Sequence, residues 1–159
     1  RKIDLIPGHP NYMWIVAGEP GVYLGACAEF CGAQHANMRI RVIAQTEEEF
    51  SEWLTEQAKI PETPSTGIAA EGAKIFQDVA CMNCHTIAGT PAAARVGPSL
   101  TYVATRDTIG AGVLTNTPDN LAKWLKNPAK YKPGSLMPNM KLTDEQIKAI
   151  VAYLEALDE

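Results

Sequence analysis

The sequence predicts two units of different class, an all-β unit followed by an all-α one. Three observations carry this. Arg39-Ile40-Arg41-Val42-Ile43-Ala44 alternates polar and apolar residues, the period of a half-buried strand. Ile147, Ile150, Val151, Leu154 and Leu157 recur instead at the spacing of one helical face. Between these regions, Lys59-Ile60-Pro61-Glu62-Thr63-Pro64-Ser65-Thr66-Gly67 has no period and sets prolines among small polar residues, the composition of a linker. The expected division is a β unit with a closing helix over residues 1–58, a linker over 59–67 and a helical unit over 68–159.

Composition bounds the rest. The chain has 159 residues, 46% hydrophobic and 20% charged, enough for one domain or two small ones. The net charge of −4 is spread without long runs, which excludes the basic footprint of a nucleic-acid binder. No apolar run approaches a membrane span, and no signal peptide opens the chain. The chain opens on Arg1, in what reads as the middle of a β-domain, and is expected to be a piece of a longer protein. Four cysteines fall in two pairs, each with a nearby histidine, a pattern that suggests metal and haem use more than a disulfide framework.

Taken in order, Tyr12-Met13-Trp14-Ile15-Val16 is aromatic and β-branched and predicts a first strand. Glu19-Pro20-Gly21 predicts a turn, with a second strand over Val22 to Ala26 and a third over Arg39 to Ala44. Thr46 with Glu49 three residues on predicts a capped helix, whose Phe50, Trp53, Leu54 and Gln57 form a narrow inward stripe. A helix over Ala69 to Val79 puts Gly72 and Phe76 on one face. Thr117-Pro118 predicts a helix start with proline in the first turn, running to Lys126 before Asn127-Pro128. Thr143 with Gln146 predicts the start of the last helix.

Cys81-Met82-Asn83-Cys84-His85 carries the chemistry of the second unit. Two thiols three residues apart, followed at once by an imidazole, form the arrangement that attaches a c-type haem. One turn between Cys81 and Cys84 puts both sulfurs on one side, where each adds across a vinyl group of the porphyrin, and His85 then reaches the iron. A Cys-x-x-Cys pair also suits half a zinc site or a thiol–disulfide motif, but zinc requires two more ligands. Covalent haem implies assembly outside the bacterial cytoplasm. No histidine follows His85, so methionine is the natural second axial donor, with Met137 and Met140 as candidates. Met137 is preferred because Lys132-Pro133-Gly134-Ser135-Leu136 before it and Pro138 after it stiffen its loop; either residue also suits plain packing against the porphyrin.

Residues from about Ala69 to Leu157 resemble a class I cytochrome c, on the matches Cys81-x-x-Cys84-His85, Gly97-Pro98-Ser99-Leu100, Met137-Pro138 and the closing amphipathic helix. The resemblance implies an all-α class I cytochrome c fold in which the first helix packs on the last, Gly72 and Phe76 meeting Tyr153. It implies that the Pro98 carbonyl fixes the ring of His85; Trp124 and Tyr131 resemble the family's propionate-facing aromatics and equally suit ordinary core packing. With His85 and Met137 on the iron, no site is open to oxygen, and the unit carries electrons. Lys123, Lys126, Lys130, Lys132 and Lys141 flank Met137 in sequence and suit either a docking ring for an acidic partner or a solvated surface.

Between the second and third predicted strands lies a loop dense in soft and borderline ligands: Cys27, Cys31, His35 and Met38. The pattern Cys-x-Glu-x-Cys-Gly-x-x-His-x-x-Met resembles the dinuclear copper A site of cytochrome c oxidase subunit II. The resemblance implies a partial, cupredoxin-like β-sandwich in which Cys27 and Cys31 bridge two copper ions. His35 and Met38 then bind one ion each, and Glu29 contributes its main-chain carbonyl. The family pattern also needs a histidine on an earlier strand. Lys2-Ile3-Asp4-Leu5-Ile6-Pro7-Gly8 resembles the stretch after that histidine, and His9 does not match it, so the ligand is expected before Arg1. Copper A is thus expected in the intact protein and incomplete in this chain alone, unless another chain supplies the start; oxidation of Cys27 and Cys31 to a disulfide is the other expectation.

A copper A unit followed by a class I cytochrome c resembles subunit II of a caa3-type haem–copper oxidase. The resemblance implies one covalent haem c and copper A as cofactors. It implies electron entry from an external cytochrome c or similar donor through haem c and copper A towards haem a in subunit I. Oxidase subunit I and other oxidase subunits are then partners. Attachment is through N-terminal membrane helices, with the units on the periplasmic or outer face. A soluble cupredoxin–cytochrome carrier serving another reductase, and a structural zinc or thiol module, are the alternatives.

Overall fold

The computed structural model describes residues 2–158. The chain divides into two compact units, the first ending at Trp53 and the second beginning at Leu54.

In the first unit, β1 (Gly21–Ala26) and β2 (Arg39–Ala44) pair antiparallel, in a register running from Gly21 opposite Ala44 to Ala26 opposite Arg39. Gly25 faces Ile40 across the ladder, where a Cβ would stand 3.3 Å from that of Ile40. These are the second and third predicted strands. The first is not there: Tyr12 to Val16 form no strand, and Trp14 and Val16 are more than 90% exposed. Strand propensity records how well a side chain fits a pleated, half-buried surface. Among the described residues, the two-stranded sheet offers this segment no such surface.

α1 (Glu47–Ala58) starts where Thr46 predicts. The Thr46 amide donates to Glu49 Oε2 at 2.9 Å, and the Glu49 amide donates to Thr46 Oγ1 at 3.2 Å, a reciprocal capping box. Its predicted inward stripe is not inward. Phe50 and Trp53 stack on each other, with ring centroids 5.6 Å apart, yet both stay about half exposed, as does Leu54. A helix buries its stripe only against a second layer, and no residue of α1 is buried.

The second unit is built on α2 (Gly67–Asp78) crossing α5 (Asp144–Glu155). Gly72 makes the crossing possible: a Cβ there would overlap the carbonyl oxygen of Ala149 and stand 2.8 Å from the Cβ of Tyr153. One turn on, Phe76 meets Tyr153 edge to face at 5.8 Å, the geometry in which the positive ring edge meets the negative face. Phe76, Ile150, Tyr153 and Leu154 are buried in this contact. Each contributes on the order of 1.5–3 kcal/mol by leaving water.

α3 (Pro118–Lys126) begins with Pro118 in its first turn and the Thr117 hydroxyl accepting from the Asn120 amide at 3.2 Å. Leu121 and Leu125 bury its inner face. Asn127 ends it and caps the short α4 (Pro128–Tyr131), while Thr143 and Gln146 close a second capping box on α5. A two-residue ladder, β3 (Thr108–Ile109) with β4 (Leu114–Thr115), was not legible from residue patterns at such lengths.

The segment after α1 is held on this unit. The Tyr102 hydroxyl reaches the carbonyls of Gln57 at 2.5 Å and Lys59 at 2.8 Å. Gly89, at φ +77°, lies under Ile60, whose Cγ2 would be 2.7 Å from an added Cβ.

Candidate metal centres

The Cys81–His85 motif is presented by a change of backbone direction. After α2, Ala80 takes a left-handed conformation, φ 65° and ψ 18°, and the chain enters a 3-10 turn over Cys81–Asn83. Both the Cys84 and the His85 amides donate to the Cys81 carbonyl at 3.1 Å, winding the two thiols and the imidazole into one turn. Cys81 and Cys84 are both unpaired and half-buried. Burial pushes the Cys81 thiol above its ordinary range, because a thiolate loses hydration there.

His85 Nδ1 lies 2.8 Å from the carbonyl oxygen of Pro98. A carbonyl only accepts, so Nδ1 carries the hydrogen and Nε2 keeps its lone pair, the tautomer that ligates a metal. Gly97 permits this approach, since a Cβ on it would stand 2.5 Å from Cε1 and 2.8 Å from Nδ1. The Gly97 amide donates to the Cys84 carbonyl at 2.7 Å, and the Leu100 amide to that of Thr86 at 2.8 Å. Free thiols, a lone pair directed by its opposite nitrogen and a rigid turn fit covalent haem.

Met137 is half-buried and packs against the hydrophobic core of the second unit, and its amide donates to Ser135 Oγ at 3.3 Å. Leu136 beside it is 98% exposed. Met140 is half-buried as well but is not packed on that core among the described residues. Trp124 stacks its ring against Gly110, where a Cβ would be 2.8 Å from Cζ3. Tyr131 carries Lys130 Nζ 5.7 Å from its ring centre. The lysines that flank Met137 in sequence are partly engaged. Lys126 pairs with Asp144 at 2.7 Å, Lys132 donates to the Gly110 carbonyl at 3.1 Å, and Lys123 to Asn120 Oδ1 at 3.1 Å.

In the first unit, the loop between β1 and β2 gathers its donors. One ligand atom from each of Cys27, Cys31 and His35 lies within 4.8 Å of the others. Cys31 Sγ is 3.8 Å from His35 Nδ1 and 3.4 Å from Met38 Sδ, and Cys27 Sγ donates to the Glu29 carbonyl at 2.9 Å. The backbone explains the convergence. The Cys27 amide bonds the Met38 carbonyl at 3.1 Å just beyond the Ala26–Arg39 pair, and Gly32, at φ 121°, turns the chain so that the His35 amide reaches its carbonyl at 3.0 Å. Contact with the Cys27 thiol is the largest cause that raises the Cys31 thiol. Lys2 pairs with the Glu29 carboxylate at 2.8 Å and lowers its pKa, which draws that side chain towards Lys2 and leaves the Glu29 main chain facing Cys27. His9 lies outside the cluster, in a turn closed by its amide on the Ile6 carbonyl. Two thiols, an imidazole, a thioether and a carbonyl are a donor set suited to copper.

Residues 69–158 match the family described as Cytochrome c. The chain belongs to the cytochrome c family. Residues 1–45 match a second family, described as Cytochrome C oxidase subunit II, periplasmic domain. The chain is 39% identical to the cytochrome c oxidase subunit 2 of Alkalihalophilus pseudofirmus over 98% of its own length and 45% of that protein's. It is 35% identical to that of Bacillus sp. strain PS3 over 98% of the chain and 47% of the relative, and 33% identical to that of Bacillus subtilis over 86% and 39%. The chain thus spans less than half the length of these relatives. Among the described residues, no helix is long and apolar enough to cross a membrane.

Two residues were not singled out from the sequence. Thr101 is a buried polar residue, 3% exposed, between the Gly-Pro turn and the core. Arg106 donates to the Ser99 carbonyl at 2.6 Å, and burial lowers its pKa. Neither carries a signature without the fold: a lone threonine and a lone arginine in loop sequence belong to no spacing rule.

Proposed function

We propose that this chain forms the electron-entry units of a terminal oxidase subunit II, taking electrons from an external cytochrome c or similar donor and passing them towards subunit I. The observation that carries the reading is the Pro98 carbonyl 2.8 Å from His85 Nδ1, beside two free thiols on the same turn. It supports His85 as an iron ligand with its ring held in place and Cys81 and Cys84 as the attachment points; the packing of Met137 on the core, with its amide on Ser135, supports Met137 as the second iron donor. Bound haem c would supply a one-electron couple. Pro98 holds the His85 proton and tautomer, Trp124 and Tyr131 would line the bound group, and the half-buried Met137 would shield its iron from water.

In the first unit, the thiols of Cys27 and Cys31 would hold copper, with His35, Met38 and the Glu29 carbonyl completing what this chain provides. Bound copper A supplies a second one-electron couple whose charge is shared through the thiolates. The convergence of Cys27, Cys31 and His35 within 4.8 Å supports this. The folds that accompany the reading are a partial cupredoxin-like sandwich and a class I cytochrome c, on the periplasmic or outer face of a membrane.

The test is a pyridine haemochrome assay and a metal count on the full-length protein, matured with haem. The expected result is one covalent c-type haem and two coppers, with Cys27→Ser/Cys31→Ser losing copper while the haem spectrum stays. Protein that binds no porphyrin through thioether links overturns the reading.

A further inference from the structure

We propose that Thr101 is the positioning residue that sets how tightly the Pro98 carbonyl holds His85. The inference rests on the reading of His85 as an iron ligand. Residues 84–88 and 97–101 run beside each other and are joined at successive points. The Gly97 amide bonds the Cys84 carbonyl at 2.7 Å, His85 Nδ1 meets the Pro98 carbonyl at 2.8 Å, and the Leu100 amide bonds the Thr86 carbonyl at 2.8 Å. The last rung differs in kind. The Ala88 amide donates to the hydroxyl of Thr101 at 2.9 Å, so a side chain stands where a main-chain carbonyl stood before.

Thr101 is fitted for this. It is 3% exposed, so water does not compete for its hydroxyl. That hydroxyl lies 3.1 Å from Ser99 Oγ, and Ser99 Oγ accepts from the Thr101 amide at 3.4 Å. Ser99 directly follows Pro98, and its carbonyl is held by Arg106 at 2.6 Å. The residue after the His85 acceptor is therefore fixed through both its side chain and its carbonyl. Of the rungs around His85, two are main chain to main chain and survive most substitutions. Thr101 is the point at which a side-chain change opens the ladder.

The consequence is electronic. A close carbonyl draws the Nδ1 hydrogen and makes the imidazole a stronger donor, which favours the oxidised iron. Loosening the rung lets the carbonyl retreat, weakens the donor and raises the haem potential.

The experiment uses the full-length, haem-loaded protein with Thr101→Val, Thr101→Ser and Ser99→Ala. Thr101→Val keeps the shape and removes the hydroxyl, leaving the amide of the half-buried Ala88 without its partner. The expected result is a raised potential, exchange of the His85 ring N–H faster by about tenfold, as for loss of one hydrogen bond of roughly 1.4 kcal/mol, and lost exchange protection at Ala88. Thr101→Ser restores all three. Ser99→Ala, at an exposed position that does not put folding at risk, shifts the potential in the same direction by less. If Thr101→Val loads haem with unchanged potential and ring N–H exchange, the proposal is overturned. If Thr101→Val does not load, an unchanged potential in Ser99→Ala overturns it. His85→Ala separates the two readings. Retention of the low-spin spectrum removes the ligand assignment and the proposal together, whereas its loss beside a silent Thr101→Val removes the proposal alone.

Discussion

Gly97 lies beneath the imidazole of His85 so closely that the smallest side chain would stand 2.5 Å from Cε1. The contact is with a ring pinned at Nδ1 by the Pro98 carbonyl, 2.8 Å away, and with a main chain tied to Cys84, so neither partner yields easily. Gly97→Ala is therefore expected to tilt the ring and break the Nδ1 bond. The measurement is the yield of low-spin haem protein under standard maturation, with a fall of severalfold expected. Wild-type yield and potential would show that the ring has room to move.

The α2–α5 crossing makes a second prediction. Gly72→Ala places a methyl group against the Ala149 carbonyl, where main chain rather than a flexible tip is in the way. Overpacking of this kind costs about 1–3 kcal/mol. It is expected to lower the denaturation midpoint with the slope unchanged, measured by circular dichroism on the haem-loaded protein. The gain in helix propensity from alanine, at about 1 kcal/mol, matches only the low end of that range, and overlap with main chain puts the cost above it. An unchanged midpoint would mean that the helices separate at little cost.

The two methionines are distinguished by packing. Met137 sits on the core and is held by Ser135, and Met140 does not share that contact. Met137→Ala is expected to lose the six-coordinate low-spin spectrum in both oxidation states, and Met140→Ala to keep it. The reverse outcome would reassign the axial donor.

Tyr102 makes a prediction about the chain after α1. Its hydroxyl reaches the carbonyls of Gln57 and Lys59. Tyr102→Phe removes both contacts and keeps the ring, at roughly 0.5–1.5 kcal/mol. Limited proteolysis within residues 59–66 is expected to speed up severalfold, while the haem spectrum is unchanged. Equal cleavage rates would show that the segment is held by other contacts.

Legibility from sequence followed the range of the forces involved. Caps were readable because Thr46 with Glu49, and Thr143 with Gln146, act over one turn. The turn over Cys81–His85 was readable because two thiols and an imidazole at that spacing fall within one turn. The loop between β1 and β2 stood out by its donor types, and the convergence of Cys27, Cys31 and His35 followed from the hairpin that carries it. Tyr12–Val16 and the stripe of α1 misled for a shared reason. Both record a side chain's preference for a buried face, and preference does not provide the face. Thr101 and Arg106 were invisible because no spacing rule links a loop threonine or arginine to the Ala88 amide and the Ser99 carbonyl they bond. The β3–β4 ladder was too short for any period to register.

The paired segments 84–88 and 97–101 have a use outside this molecule. Their mutual grip draws on few side chains beyond the ligand itself: glycine where the ring passes, threonine at the far end, and Ser99 and Arg106 bracing the stretch between. Such a short bracket is transplantable. Grafted into an unrelated helical scaffold, it would supply a histidine already oriented for metal, and exchanging the threonine would offer the designer a dial for its voltage.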